Sequence, residues 1–273
     1  MSDWKLNLGV SLHCLANPCP AEDVKRLADS KVQTLEITPK LFEGDGGTEL
    51  RAELDKLFAT SHVRAASVHA LFGGSNDISV LDEQARSGAV AETLNAVQLA
   101  GELGADFVVV HASAEPIEDS ERSARVELCR KSLAELTDAA KKASTRITVE
   151  LLPRTCLGNT VEELVALLEG LDPDVFGVCL DANHEMDRWR ELPAYVQALG
   201  DKLWTLHISD YDGVDEKHWM PGKGVVDWGA FARALRAIDF RGPFNYEGRP
   251  EGETLAERLA ALEANFEWLC AQV

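Results

Sequence analysis

The chain has 273 residues, 45% of them hydrophobic, and a formal net charge of −19. This length suits one large domain, because an α/β barrel takes about 250 residues. No apolar run approaches the roughly 20 residues that a membrane-spanning helix needs, so no membrane association is expected. The excess of acidic residues argues against nucleic acid as the main partner, since proteins that bind phosphate backbones present basic surfaces.

Two further features bear on where the protein works. The first residues, MSDWKLNLGVSLH, lack a basic segment followed by a long apolar one, so no export signal is expected. The six cysteines, at positions 14, 19, 129, 156, 179 and 270, are scattered and form no CxxC pair, which indicates reduced thiols rather than disulfide bonds. Both features predict a cytoplasmic protein.

Short β-rich runs alternate with longer helical ones along the whole chain. They predict eight strands, at residues 6–13, 34–38, 65–72, 107–111, 147–152, 176–181, 203–208 and 244–247. Helices are predicted near residues 21–30, 49–60, 82–103, 120–142 and 189–199, and further helices begin near Thr160, Asp227 and Thr254. Two of these helix starts, Thr160 with Glu163 and Thr254 with Glu257, have the spacing of a capping box.

The strands are rich in Val, Ile and Leu, which is typical of a parallel sheet buried on both faces. A doubly wound open sheet is the rival architecture, but it usually has a glycine-rich first turn, and none follows the first predicted strand here. No linker or low-complexity tract divides the chain. We therefore predict an α/β fold, a single (β/α)8 TIM barrel over residues 1–273.

In such a barrel the C-terminal ends of the strands carry the active site. Every predicted strand ends in, or next to, a His, Asp or Glu, and these residues are His13, Glu36, His69, His111, Glu150, Asp181, His207 and Glu247. Any one of them alone would more often be a structural residue satisfied by a hydrogen bond. Eight in phase with the fold indicate a metal site.

Segment 203–228 is the richest in candidate ligands. Its strand delivers His207, and the following loop carries Asp210, Asp212, Asp215, Glu216 and His218 before the turn Pro221-Gly222-Lys223-Gly224. Imidazole nitrogen and carboxylate oxygen together suit a divalent cation better than they suit a hydrophobic core.

Several short motifs carry a family resemblance. They are VEL at 149–151, CLDANHE at 179–185, LHISD at 206–210, DEKHWMPGKG at 215–224 and YEG at 246–248. With them the chain resembles the xylose isomerase-like TIM-barrel superfamily, which includes sugar phosphate isomerases and epimerases and the endonuclease IV-like AP endonuclease family 2. The resemblance covers nearly the whole chain, and its most specific part is the D-x-x-H of Asp181 and His184 followed by His207 and Glu247.

The resemblance implies a divalent-metal-dependent isomerase or epimerase of a small sugar or related hydroxy-ketone, and a possible homodimer. One ion, either Mn²⁺, Mg²⁺, Co²⁺ or Zn²⁺, would be held by Glu150, Asp181, His207 and Glu247. Glu150 and Glu247 would also transfer the proton, through an enediolate that the metal stabilises. His184 would contact a substrate oxygen or a further metal.

The same resemblance keeps an alternative open, a zinc-dependent phosphodiester hydrolase acting on abasic DNA. In those enzymes up to three ions use further ligands, which would fall here on His69, His111, Glu216 and His218, with Glu-x-His in place of Asp-x-His. The net charge and the short strand-to-helix connections count against this alternative. A third class of protein, a metal-binding barrel that only senses or sequesters a ligand, also stays open.

Substrate contacts are the least determined part of the site. His13, Glu36, Lys223 and Arg249 are candidates, and whether Lys223, Arg154 or Arg249 binds an anionic group is left open, since a salt bridge explains Arg154 and Arg249 equally well. Glu36 could instead orient a ligand histidine. The arginine that ketose epimerases place shortly after the strand-seven histidine is absent from SDYDGVDEKH at 209–218.

Overall fold

A computed structural model describes residues 4–272, so the outermost ends of the predicted domain, with the first three residues of the N-terminal segment, lie outside the described residues. Eight parallel strands close into a barrel in the order β1 to β8, which confirms the predicted (β/α)8 fold. The strands are Asn7–Ser11, Thr34–Ile37, Arg64–His69, Phe107–Val110, Arg146–Glu150, Phe176–Asp181, Leu203–Ile208 and Pro243–Tyr246.

Eight α-helices connect and surround these strands. They are α1 to α8 in chain order: Leu12–Leu15, Gly47–Thr60, Glu83–Leu103, Asp119–Ala143, Val161–Leu167, Leu192–Leu199, Trp228–Ala237 and Leu255–Cys270. The helix predicted near residues 21–30 is a 3₁₀ helix, Ala21–Asp29. It buries Val24 and Leu27, whose spacing of three residues matches the three-residue turn of that helix. No helix within residues 4–272 combines the length and the apolar character that crossing a membrane requires.

The two predicted capping boxes have different outcomes. At α8 the box is complete, because Thr254 and Glu257 each accept a backbone N–H of the other. At α5 the Thr160 hydroxyl caps the Glu163 N–H, but the Glu163 side chain turns away to the guanidinium of Arg122. Asp227 caps α7 as the sequence suggests, by accepting the N–H of Ala230.

The interior of the barrel fixes which side chains reach the site. The hydroxyl oxygens of Thr148 and Thr205 lie 3.4 Å apart although β5 and β7 are not neighbours, so both point into the barrel. Because side chains on a strand alternate, Glu150 and His207, two residues further on, point the same way at the C-terminal end. Register places Asp181 beside His207.

β1, β3 and β5 end two, three and two residues before their predicted limits of 13, 72 and 152, but all but one of the residues predicted at the strand ends lie at or next to those ends. His69, Glu150 and Asp181 are the last residues of their strands, and His111 and Glu247 come directly after β4 and β8. His13 is different, because β1 ends at Ser11 and His13 lies within the short helix α1.

Candidate active site

A cavity of about 280 Å³ opens at the C-terminal end of the barrel. It collects nine of the residues singled out from the sequence, namely His13, His69, His111, Glu150, His184, Glu216, His218, Glu247 and Arg249. Glu36, Asp181 and His207 are buried and lie outside the cavity lining. Lys223 faces an adjoining cavity instead, and its ammonium pairs with Glu251.

Two buried carboxylates, of Glu150 and Asp181, and the partly buried one of Glu247 surround one imidazole, and we call Glu150, Asp181, His207 and Glu247 the carboxylate cluster. The Nδ1 atom of His207 lies 3.1 Å from Glu150 Oε1, 3.5 Å from Glu247 Oε2 and 3.9 Å from Asp181 Oδ2. On its other side, His207 Nε2 lies 3.2 Å from Glu36 Oε2, which also accepts the hydroxyl of Ser67 at 2.8 Å. Glu36 thus orients the histidine from beneath.

Burial makes this concentration of negative charge costly. Burial, together with the charge of Glu150, raises the pKa of Asp181 well above its usual range, and burial raises the pKa of Glu247 to about 8. Burial alone would also raise the pKa of Glu150, but the charges of His207 and His111 outweigh it and hold that pKa well below its usual range. The cluster can hold all three carboxylates ionised only with more positive charge than these histidines supply.

The donor set fits a divalent cation. One ligand atom each from Glu150, Asp181 and His207 lie within 4.8 Å of one another, and a second triad, His69, His207 and Glu247, shares the same imidazole. Asp181 Oδ2 is buried and accepts no hydrogen bond within the described chain. Carboxylate oxygen and imidazole nitrogen are the ligands that Mn²⁺, Co²⁺ and Zn²⁺ accept. The cluster could therefore hold such an ion.

Two histidines are oriented by backbone carbonyls. Nδ1 of His69 donates to the Ala70 carbonyl and Nδ1 of His184 donates to the Leu151 carbonyl, each at 2.8 Å, because a carbonyl oxygen can only accept. This leaves Nε2 of each ring as the nitrogen that could bind a metal ion, an arrangement typical of metal-binding histidines. Burial acts to lower the pKa of His69, yet its hydrogen bond to Glu150 raises that pKa to about 9.

His111 faces the same carboxylate from β4. Its Nε2 lies 3.0 Å from Glu150 Oε2, and His69 Nε2 lies 3.3 Å from the same oxygen. These three residues form a further group of possible ligands. The His111 ring stacks on Phe72 at 4.4 Å between centroids, and Phe72, 59% exposed at the cavity, gives this wall an apolar surface that the sequence reading did not single out.

The loop after β7 is held by a residue that the sequence grouped with the candidate ligands. Asp210 is fully buried, and its two oxygens accept N–H groups of Tyr211, Gly222, Val226 and the Trp228 indole. All its acceptor capacity serves the loop, so Asp210 anchors the chain rather than facing the cavity. Asp212 likewise accepts the backbone N–H groups of Val214 and Asp215.

Glu216 and His218 are presented from this loop towards His184. Glu216 Oε2 lies 3.8 Å from His184 Nε2 and 3.9 Å from His218 Nε2. Arg154, from the loop after β5, lies 2.8 Å from Glu216 and also pairs with Glu115 and Asp215. These ion pairs link three loops at one side of the cavity mouth, so Arg154 acts as a salt-bridge residue.

Fold and site together define a (β/α)8 barrel with a candidate metal centre at the C-terminal ends of its strands. The family model described as xylose isomerase-like TIM barrel matches residues 24–272, and the chain belongs to that family.

Individual relatives extend this assignment. The uncharacterized protein y4fM of Sinorhizobium fredii is 30% identical over 191 residues, which cover 67% of this chain and 59% of that one. A ketose 3-epimerase of Arthrobacter globiformis is 27% identical over 191 residues, 68% of this chain and 64% of that one. The chain thus spans about three fifths of the length of these relatives. The solved structure of IolI protein with a binding zinc atom has the same fold, with a TM-score of 0.80, 20% identity and coverage of 98% and 99%.

Proposed function

We propose that this protein is a divalent-metal-dependent epimerase or isomerase of a small sugar or related hydroxy-ketone. The observation that carries the proposal is the carboxylate cluster, in which two buried carboxylates and a partly buried one surround His207, and Asp181 Oδ2 accepts no hydrogen bond from the described residues. The ketose 3-epimerase relative supports a sugar as the substrate class.

Glu150, Asp181, His207 and Glu247 would hold the ion, because all three carboxylates lie on the Nδ1 side of His207. A divalent cation supplies a Lewis acid for two neighbouring oxygens of a hydroxy-ketone. Glu36 is the positioning residue for this set, because its contact with Nε2 of His207 leaves Nδ1 turned towards the other carboxylates.

The two glutamates of the cluster would move the proton. Glu150 and Glu247 line the cavity, from β5 and β8, whereas Asp181 does not. Carboxylates that reach a substrate carbon from two sides can remove a proton from one face and return it to the other, which inverts the centre, or return it to the neighbouring carbon. The apolar wall of Phe72 and His111 helps exclude water from that step.

The polar groups around the cavity would orient the hydroxyl groups of a sugar. Nε2 of His184 is directed towards Glu216, and His218 lies next to both. Nε2 of His184, whose proton lies on Nδ1, and the Glu216 carboxylate can each accept a hydrogen bond at a fixed position, because a backbone contact and an ion pair hold them.

One observation favours the zinc-dependent hydrolase of abasic DNA as a second candidate. His69, His111 and Glu150 offer ligand atoms within 4.8 Å of one another, which would suit an additional ion. Arg154 engages Glu216, the ligand expected from the loop after β7, and the net charge of −19 disfavours a DNA backbone. The epimerase is therefore the better-supported function.

Elemental analysis of the purified protein, followed by solvent exchange, tests the proposal. We expect close to one metal ion per chain and incorporation of deuterium from deuterated water into at least one member of a panel of ketoses and inososes, observed by NMR. Two or three zinc ions together with cleavage of abasic-site DNA would favour the hydrolase. Bound metal with no exchange on any compound would indicate a barrel that only senses or sequesters its ligand, and no metal after soaking would overturn the proposal.

A further inference from the structure

The three basic side chains that could bind an anionic group differ in what they contact. Arg154 pairs with Glu115, Asp215 and Glu216, and Lys223 pairs with Glu251. The guanidinium of Arg249, in contrast, forms no hydrogen bond or ion pair with any residue from 4 to 272. In a chain with 46 acidic and 27 basic residues, an arginine at the cavity that has no acidic partner stands out.

Arg249 is held in position by its backbone. It lies two residues after Glu247, and its N–H donates to the carbonyl of His218 at 3.1 Å. Its side chain lines the active-site cavity and two adjoining cavities, so it stands where these spaces meet. One of the adjoining cavities has a volume of about 430 Å³ and also shares His13 with the active site.

A second unpaired cation lies at the same side of the mouth. Lys40 belongs to the 3₁₀ helix Pro39–Phe42 directly after β2, lines the active-site cavity, and forms no side-chain hydrogen bond or ion pair within the described residues. The barrel order places β8, β1 and β2 side by side. Arg249, His13 and Lys40 therefore come from three adjacent strand ends.

The environment of His13 agrees with this grouping. Burial lowers the pKa of His13, and the positive charges of Arg249 and Lys40 lower it further, so both cations lie near the imidazole. His13 contacts Asn17 through Nε2 at 3.3 Å and has no carboxylate partner within the part of the chain that the structure describes. Arg249 and Lys40 therefore supply the positive charge at this side of the cavity mouth, and His13 comes from the strand end between theirs.

We infer that the substrate carries an anionic group, a phosphate or a carboxylate, away from its reacting carbon, and that Arg249 and Lys40 bind this group. The inference rests on the proposed epimerase or isomerase function, because it concerns the same cavity. A guanidinium suits a planar carboxylate or a phosphate through paired hydrogen bonds, while a lysine ammonium acts as a point charge. The metal-loaded carboxylate cluster would then hold the reacting end of the substrate, and Arg249 and Lys40 would hold its anionic end.

Three ketoses that differ only at carbon 6 test the inference. D-fructose carries a hydroxyl group there, D-fructose 6-phosphate a phosphate and D-fructuronate a carboxylate. Their affinities for the metal-loaded protein are measured by isothermal titration calorimetry. We expect at least one of the two anionic ketoses to bind about tenfold or more tightly than D-fructose, as charge-assisted hydrogen bonds predict. Which of them binds better distinguishes phosphate from carboxylate.

Variants then locate the preference. Lys40→Gln with Arg249→Gln should abolish it, so that this variant binds the three ketoses with affinities within about twofold of one another. The control Lys202→Gln with Arg236→Gln removes the same charge from the opposite end of the barrel, before β7 and at the end of α7, and should keep the preference. Equal affinities for the three ketoses in the wild-type protein would overturn the inference. So would a preference that survives Lys40→Gln with Arg249→Gln, since the metal ion would then be the group that binds the anion.

The same samples separate this inference from the function on which it rests. Deuterium exchange into the three ketoses is followed by NMR in parallel. Exchange without an anionic preference overturns the inference and leaves the proposed function supported. A lack of both binding and exchange, here and on the wider panel, overturns both.

Discussion

The C-terminal ends of β5 to β8 and those of β3 and β4 differ in how their charged side chains are compensated by neighbouring groups. The carboxylate cluster, from β5 to β8, gathers three acids, two of them fully buried, around one histidine, and Asp181 Oδ2 finds no donor in the described chain. The ends of β3 and β4 supply histidines instead. Nδ1 of His69 donates to a backbone carbonyl, and the rings of His69 and His111 both face the single carboxylate of Glu150.

This difference indicates where a cation is required and where it is optional. A buried carboxylate oxygen without a donor, such as Asp181 Oδ2, is unstable unless a positive charge joins it, whereas each ring nitrogen of His69 already faces an acceptor, the Ala70 carbonyl or the Glu150 carboxylate. The carboxylate cluster is therefore the expected place of one metal ion, and the histidines of β3 and β4 form a wall beside it.

The largest expected effect comes from breaking the cluster at a proton-transferring residue. Glu247→Gln keeps the shape of the side chain but removes its acid–base function, so the solvent-exchange rate on the responsive ketose should fall by about 10²–10⁴. Glu127→Gln, on the exposed face of α4, is the matched control and should leave the rate unchanged. Exchange within threefold of wild type in Glu247→Gln would exclude a role for this carboxylate in the reaction.

The next effect concerns metal affinity. Asp181→Asn removes a buried negative charge whose Oδ2 has no donor, so metal affinity should fall by at least about a hundredfold, while the metal-free variant should unfold at a higher temperature than the metal-free wild type. Metal content after dialysis and calorimetric melting of chelator-treated samples measure the two quantities. A metal-free variant that melts below the metal-free wild type would show that the carboxylate is satisfied without an ion.

A buried carboxylate outside the cluster sharpens the comparison. Both oxygens of Glu185 lack hydrogen bonds in the described chain, Arg188 Nε lies 3.6 Å away, and burial raises the pKa of Glu185 to about 8. The folded state therefore keeps Glu185 protonated up to about pH 8, whereas the unfolded state releases the proton above its ordinary pKa of 4.5. The unfolding free energy consequently falls as pH rises from about 4.5 to about 8.

Glu185→Gln should remove this pH dependence. The gain in unfolding free energy over wild type should be about 3 kcal/mol larger at pH 8 than at pH 5, measured by urea unfolding of chelator-treated protein. Glu127→Gln again serves as control, with the same difference from wild type at both pH values. A constant difference between Glu185→Gln and wild type would mean that Glu185 is ionised in the folded protein throughout this range.

The smallest effect on the exchange rate is expected from His69 and His111, the histidines at the ends of β3 and β4. The double variant His69→Gln and His111→Gln should retain one metal ion per chain, and its exchange rate should fall by about tenfold through altered contacts to Glu150. Elemental analysis and NMR exchange measure both. A loss of one or more ions relative to wild type would show that His69 and His111 bind metal, which would favour the hydrolase.

The sequence by itself determined the barrel and most of the residues at the C-terminal ends of its strands. Strand and helix periodicity is local, and a parallel barrel must bring the ends of all its strands to one face, so Glu150, Asp181 and His207 could be placed together without knowing a single contact. The differences between the predicted and the observed strand ends also have local causes. The first strand ends two residues before His13, which α1 then carries.

Only the tertiary structure decided which charged loop residues remain available. Asp210 is occupied by backbone and indole N–H groups, Arg154 by acids 39 and 61 or more residues away, and Lys223 by Glu251, whereas Arg249 and Lys40 are left without partners among residues 4–272. These pairings depend on how the loops after different strands fold against one another. No periodicity within one segment encodes that arrangement, because it is set by contacts between loops that are distant in the chain.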